Sequence, residues 1–336
     1  MNSDIAKPAH VVRELDEVLA GIHEELAGVE DLLDATAESA EIPLLQDVLR
    51  ATLTGPAKRL RPALVLLGCD LFGVRGSGPR TLAAATEVLH SATLVHDDIV
   101  DASDSRRGRP AIHVAWSGKV AVLAGDYLFA TAAALVAELD RPRIVRMFAE
   151  TIHSMSRSEF ISPVYGEDTA VVRHQYLAKI GDKTASLFAL ATEAAGELVA
   201  SKADQGSALR ALGWSLGMAF QIADDILDVS GESGTTGKPV GGDLREGVLT
   251  LPVILYLSSA PEREDAVRRV VAGEASGDED MVEALRLVRE SGAIDEAQRV
   301  AASYAADSQR ALEVLPAGPA RNAMAELVTL ATHRST

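Results

Sequence analysis

Apolar and polar positions repeat along this chain with a helical period almost throughout. Residues 10–38 carry Val and Leu at helical spacing with acidic residues between them, which predicts an amphipathic helix. Pro43 opens a second helix that stops near Gly55-Pro56, and 58–72 predicts a third, basic at its start. A loop over 73–79 leads into a long, mostly apolar helix from Pro79 or Arg80 to Asp101. After a loop at 104–118, helices are expected at 119–138, 142–160, 170–199 and 203–229. A glycine-rich loop at 231–244 follows, and amphipathic helices separated by short acidic loops complete the chain. Alternating β-branched and aromatic runs are scarce, so strands are not expected and the fold class is all-α. No low-complexity linker interrupts the pattern, so residues 1–336 are read as a single domain.

Composition adds bounds. With 336 residues and 47% hydrophobic content the chain can bury a large core. A formal net charge of −17 makes nucleic acid and anionic membrane surfaces poor partners. The single cysteine, Cys69, rules out an internal disulfide framework and fits a reducing, cytoplasmic setting, and the polar stretch at 1–10 does not resemble a signal peptide. The apolar stretch 120–137 approaches a membrane span in length, but Asp126 in its middle favours a buried core or subunit-interface helix.

The chemistry concentrates where two of the apolar helices end. Leu94-Val95-His96-Asp97-Asp98-Ile99-Val100-Asp101 closes the long helix in three carboxylates. Asp97 and Asp101, at i and i+4, share a face, where they repel one another unless a cation joins them. Mg²⁺ suits such a place because it takes carboxylate oxygens together with waters and phosphate. The pattern returns as Gln221-Ile222-Ala223-Asp224-Asp225-Ile226-Leu227-Asp228, which suggests two walls of one metal site.

Basic groups accompany the acidic ones. Lys58 and Arg61 share a face at a helix start, Arg59 points elsewhere, and the pair is either a phosphate site or a solvated cluster. Arg106 and Arg107, just after the first motif, are either phosphate ligands or surface ion pairs. His90 lies about two turns before Asp97 and is either a ligand or a satisfied core residue, while His96 faces away from Asp97 and is read as core. Lys183-Thr184 sits mid-helix, and Lys238, Asp243 and Arg245 make the glycine-rich loop a candidate lid. Together these features suit a substrate with a diphosphate head and a hydrocarbon tail.

At these residues the chain resembles the trans-isoprenyl (polyprenyl) diphosphate synthase family. The similarity runs from about Lys58 to Pro252: Lys-Arg-Leu-Arg-Pro at 58–62, both acidic motifs, Arg106-Arg107-Gly108, Gly125-Asp126-Tyr127-Leu128, Lys183-Thr184-Ala185, Gly237-Lys238-Pro239, Gly242-Asp243-Leu244, Glu246-Gly247 and Thr250-Leu251-Pro252. The resemblance implies an isoprenoid-synthase-type helical bundle around a deep central cavity, usually a homodimer. It also implies head-to-tail, Mg²⁺-dependent condensation of isopentenyl diphosphate with an allylic diphosphate. By that resemblance Asp97, Asp101, Asp224, Asp225 and Asp228 form the metal site, taking three Mg²⁺ ions with diphosphate bound, with Asp98 in support. Arg106, Lys183 and Lys238 would hold the allylic diphosphate; Lys58, Arg61, His90 and Arg107 would hold isopentenyl diphosphate; Thr184 and Gln221 would line the reacting centre. The released diphosphate is the family's usual proton acceptor. Membrane contact would be at most transient, for product release.

The chain departs from the family at Pro56-Ala57, where Gly-Gly is common, and at Ser158-Glu159-Phe160-Ile161-Ser162, where a Gln is common. Ala92 and Thr93, small residues before Asp97, point to a medium- or long-chain all-trans product rather than a geranylgeranyl or farnesyl one, unless Phe129 or Tyr127 closes the cavity. Two further readings are an HD-type metal phosphohydrolase, from the His96-Asp97 pair, and a non-catalytic subunit of a heteromeric synthase.

Overall fold

The computed structural model describes residues 15–55, 57–106, 108–231, 240–259, 264–275 and 277–332. They are overwhelmingly helical, as the periodicity predicts. Long helices at Ser77–Val100, Gly118–Ala137, Pro142–Ser158 and Ala203–Ser230 agree with their predicted bounds to within about two residues. Side-chain caps account for several starts: Ser117 accepts from the Val120 amide at 3.2 Å and Asp168 from the Ala170 amide at 2.7 Å.

Four local expectations need correction. The first helix is interrupted by a 3₁₀ turn at Ala20–Ile22 before His23–Glu38. The long helix starts at Ser77, inside the stretch read as loop. The 104–118 stretch holds a two-residue antiparallel ladder, Ser105–Arg106 against Arg109–Pro110, and a short helix at Ile112–Ala115. Gly108, at φ +75°, gives that tight turn a conformation that disfavours side chains. The predicted 170–199 helix is two α-helices, Thr169–Ile180 and Ser186–Leu198, joined by a π-helical turn at Gly181–Ala185.

The residues group into two compact units. The first contains 1–150, 187–210 and 312–326, and Ser77–Val100 is its central helix. The run Leu82 to Leu89 on this helix is buried on every side, including Thr86 and Glu87. A helix enclosed all round is apolar all round, and its two polar exceptions must be satisfied internally. Thr86 donates to the Leu82 carbonyl at 2.9 Å, and Glu87 accepts from Arg59 at 2.7 Å.

The second unit contains 151–186, 211–311 and 327–336. Its core includes Met218, Ile222, Ile226 and Val229, one stripe of Ala203–Ser230, with Val172, Tyr176 and Ile180 of Thr169–Ile180 and Leu251, Val253 and Ile254 of Leu251–Ser259.

Gly118–Ala137, read as a buried core or subunit-interface helix, has a third of its apolar stretch buried within the chain. Ala121, Ala124, Gly125, Leu128, Ala132 and Val136 face inward, while Val122, Leu123 and Tyr127 are exposed. By length and composition it is apolar enough to cross a membrane.

Candidate functional site

Each unit carries one acidic motif at the C-terminal end of a helix. That is the negative end of the helix dipole, where carboxylates are disfavoured and cations favoured. In the first unit Asp97 and Asp98 occupy the last turn of Ser77–Val100, and Asp101 caps it, its amide bonding the Asp97 carbonyl at 2.8 Å. Asp97 is half-buried and Asp101 exposed, whereas Asp98 is buried. Asp98 Oδ1 accepts from Arg106 Nε at 2.8 Å and also from an Arg106 terminal nitrogen. The short ladder therefore delivers a guanidinium to the negative helix end eight residues after the carboxylate it pairs.

His96 turns away from Asp97, as expected, but it is partly exposed rather than core, with Nε2 3.9 Å from Asp126 Oδ1. Its ring lies 5.5 Å from that of Phe129, and Nε2 donates to the Val122 carbonyl at 3.0 Å. Gly125 permits this approach, because a Cβ there would lie 2.1 Å from His96 Nε2. Beside Asp98 and Arg106 a cleft of ≈ 280 Å³ is lined by Leu94, Val95, Ile112 and Trp116. It lies on the helix face bearing Ser91, Leu94, Val95 and Asp98, not on the face bearing Asp97 and Thr93.

The basic turn belongs to the same unit. Lys58 is exposed, and Arg61 is half-buried with its guanidinium 3.1 Å from His90 Nε2 and 4.6 Å over the Phe188 ring. An arginine only donates, so His90 Nε2 is the acceptor there. The helix Leu60–Asp70 begins at Arg59, which adopts a left-handed conformation (φ 46°, ψ 36°) and turns its side chain into the protein.

In the second unit Asp224 is half-buried and Asp225 buried near the end of Ala203–Ser230. Asp225 sits in a chain of neutral groups. Tyr176 Oη donates to Oδ2 at 2.6 Å, Gln221 Nε2 donates to Oδ1 at 2.8 Å, and Thr184 Oγ1 donates to Gln221 Oε1 at 2.8 Å. Burial pushes Asp225 up to about 8, the Asp243 and Asp224 charges add to the rise, and the hydrogen bonds from Tyr176 and Gln221 oppose it. Burial, with the Asp225 charge behind it, likewise raises the Tyr176 hydroxyl well above its ordinary value. Asp228 accepts from the Gly242 and Asp243 amides at 3.1 and 3.2 Å and so anchors the short helix Gly242–Arg245.

Lys183 and Thr184 lie on the π-helical turn, a distortion that recurs at functional sites. Lys183 Nζ is 3.0 Å from Glu159 Oε1, and the neighbouring Asp182 takes both arms of Arg157 at 2.8 Å. Glu159 lies in the stretch where the chain departs from the family, but Tyr176 and Arg157 escape a motif-based reading. Only Tyr176 leaves a trace, as the one polar tip on the Val172-Tyr176-Ile180 face. Arg107 and Lys238 lie outside the described residues, as does 232–239 of the candidate lid.

Among the described residues no three Asp, Glu, His or Cys side chains converge into a ready-made metal cluster. The donors that are present are hard carboxylate oxygens in i, i+4 pairs. These fit Mg²⁺, which takes one or two carboxylates and completes its shell with water and phosphate.

Comparison with known proteins agrees with this chemistry. The polyprenyl synthetase family model matches residues 42–288. A nonaprenyl diphosphate synthase of Mycobacterium tuberculosis is 36% identical over 332 residues, covering 97% of this chain and 98% of that protein. A short-chain isoprenyl diphosphate synthase of Methanothermobacter thermautotrophicus is 35% identical over 297 residues, covering 86% and 91%. Among solved structures, a polyprenyl synthase from Caulobacter crescentus, complexed with calcium and isoprenyl diphosphate, superposes with a TM-score of 0.88 at 34% identity over 96% of this chain and 98% of that one. With both motifs, the adjoining basic groups and the all-α isoprenoid-synthase fold in place, the chain is a prenyltransferase of the polyprenyl synthetase family.

Proposed function

We propose that this chain adds isopentenyl diphosphate head to tail to an allylic diphosphate and releases a medium- or long-chain all-trans polyprenyl diphosphate. The observation that carries the reading is the duplicated acidic helix end, each copy with its second aspartate buried and its first left half-buried. Both motifs serve one diphosphate, and residues 1–336 act as one catalytic domain.

Asp97, Asp101 and Asp224 would bind the metal, with Asp98, Asp225 and Asp228 fixing their helix ends. Mg²⁺, three ions in the family's usual arrangement, would supply positive charge to the allylic diphosphate and to the charge developing as it departs. Arg106, Lys183 and Lys238 grip that diphosphate, which requires Lys183 to exchange Glu159 for phosphate oxygen. Lys58, Arg61, His90 and Arg107 hold isopentenyl diphosphate. Thr184 and Gln221, joined in one hydrogen-bonded chain, line the point where the new carbon–carbon bond forms. The proton lost from the isopentenyl unit passes to the released diphosphate.

Three observations support the rest. The Mycobacterium tuberculosis relative is by name a nonaprenyl synthase, while the Methanothermobacter one is a short-chain enzyme, so identity alone does not decide length. Ala92 and Thr93 offer no aromatic stop on the helix before Asp97. The exposed Val122, Leu123 and Tyr127 face of Gly118–Ala137 suits a homodimer contact, with Asp126 on the same face, rather than lipid. We assign the enzyme to the cytoplasm, with transient membrane contact for its product.

The test is incubation of the purified chain with Mg²⁺, labelled isopentenyl diphosphate and allylic primers, with chromatography of the dephosphorylated products. Ala92→Phe should shorten the product and spare the first condensation. A wild-type product of farnesyl length or less, or an unchanged distribution in Ala92→Phe, contradicts the length assignment. Absence of any condensation by the chain alone favours a heteromeric enzyme.

A further inference from the structure

The turn that presents Lys58 is built around Arg59. The Arg59 side chain is 7% exposed. Nε and one terminal nitrogen take both oxygens of Glu30, at 2.6 and 2.9 Å. That terminal nitrogen also donates to the Leu53 carbonyl at 2.8 Å, and the other donates to Glu87 Oε1 at 2.7 Å. One planar fork thus ties the start of Leu60–Asp70 to three further helices: His23–Glu38 through Glu30, the end of Pro43–Leu53 through Leu53, and Ser77–Val100 through Glu87. No lysine can reproduce this set, because an ammonium lacks the bidentate geometry.

The backbone carries the same message. Arg59 is one of few non-glycine residues here with positive φ, a conformation that costs free energy and persists only when its surroundings enforce it. Once Arg59 is drawn inward, its neighbour Lys58 is left exposed, and the helix that follows is set at a fixed register against Ser77–Val100. Two cross-links define that register. Arg59–Glu87 is the inner rung, fully buried, and Arg61–His90 is the outer rung, half-buried. Glu87 precedes His90 by three residues, so both rungs land on neighbouring turns of one helix.

We infer that Arg59, braced by Glu87 and Glu30, is a positioning residue for the isopentenyl diphosphate half of the site. It touches no substrate. It holds the left-handed turn so that Lys58, Arg61 and His90 converge on one diphosphate. This rests on the assignment of those three residues to isopentenyl diphosphate and adds what arranges them. The inner rung is closed to ligands, since both of its side chains are buried. The outer rung is the one that can trade partners for phosphate.

The test compares Glu87→Gln, Arg59→Lys and Glu30→Gln with Lys58→Ala, measuring steady-state kinetics with each substrate varied in turn and calorimetric binding of isopentenyl diphosphate to the resting protein. Glu87→Gln and Arg59→Lys should each raise the KM and the dissociation constant for isopentenyl diphosphate about tenfold, the scale of one weakened charged hydrogen bond. The KM for the allylic substrate should stay within about twofold, and Glu30→Gln, on the more exposed side, should do the same to a smaller extent. If the brace merely stabilises the fold, the active fraction and thermal midpoint fall while both KM values hold, which overturns the inference. Equal rises for both substrates overturn it as well. If Glu87→Gln or Arg59→Lys does not fold, Glu30→Gln decides by the same split. If Lys58→Ala leaves isopentenyl diphosphate binding unchanged, the half-site assignment is wrong and the inference falls with it; if Lys58→Ala weakens binding and the brace variants do not, only the inference fails.

Discussion

The two acidic motifs share a sequence pattern and differ in how their buried members are held. Asp98 and Asp225 occupy equivalent positions, and each is 4% exposed. Asp98 is neutralised by the Arg106 guanidinium, a cation built into the chain. Among the described residues Asp225 accepts only from neutral donors, Tyr176 and Gln221, and has other carboxylates nearby, so burial drives it toward the protonated form. The third aspartates diverge too, Asp101 being exposed and Asp228 committed to the Gly242 and Asp243 amides. The same short motif therefore builds one end whose buried carboxylate is paired to a guanidinium and another whose buried carboxylate meets neutral donors among the described residues. A buried carboxylate paired to a guanidinium costs little to keep ionised, whereas one facing neutral donors costs several kcal/mol unless it protonates.

The largest effect that would break this comparison is on turnover. Asp97→Ala and Asp224→Ala should each lower Mg²⁺-dependent kcat by at least ~10²-fold, the scale of removing one preorganised electrostatic contact. Steady-state assays of the purified variants check this, and near-normal turnover in one of them would reduce the enzyme to a single working motif.

Stability distinguishes the two buried aspartates more finely. Asp98→Asn strips Arg106 of its charge partner and should cost about 1–2 kcal/mol, the charged hydrogen bonds being discounted for the partial exposure of Arg106. Asp225→Asn, which resembles the protonated acid, should be close to neutral in metal-free protein near pH 7. Thermal midpoints of both variants in chelator measure the difference, and equal losses would mean that the environments do not matter.

The smallest and most specific effect is on pH dependence. The folded-state value of Asp225 is raised above the ordinary 3.8, so the folded protein holds its proton more tightly than the unfolded chain. The stability this contributes is fully present below about pH 4 and is lost as pH rises through about 8. Metal-free wild type should therefore melt progressively lower between pH 5 and 8 relative to Asp225→Asn, measured at matched pH values. A flat difference between the two proteins across that window would show that Asp225 is ionised throughout.

What could be read in advance follows contact distance along the chain. The acidic helix ends and most helix bounds are local features, set by periodicity over a few turns, and they were legible. Asp98 and Arg106 are eight residues apart, near enough for the pairing to be suspected. Tyr176 and Asp225 are 49 residues apart and Arg59 and Glu87 are 28, and nothing local marks them as partners. Arg59 was set aside because helical spacing turned it away from Lys58 and Arg61, yet that inward direction is what fits it to Glu87 and Glu30. The π-helical turn at Gly181–Ala185 was hidden because the apolar spacing continues through it. Composition marks 120–137 as a core or interface helix, but it cannot say which face the chain itself covers, and here a third of the stretch is buried.

Whether both motifs serve one metal-bound diphosphate is tested most directly by calorimetric binding of an unreactive allylic thiolodiphosphate to wild type, Asp97→Ala and Asp224→Ala, each with Mg²⁺ and with chelator. Mg²⁺-dependent binding by wild type is expected, with the Mg²⁺ enhancement reduced at least ~10-fold in both variants. Mg²⁺ enhancement that survives intact in Asp224→Ala, or in Asp97→Ala, would contradict the shared role.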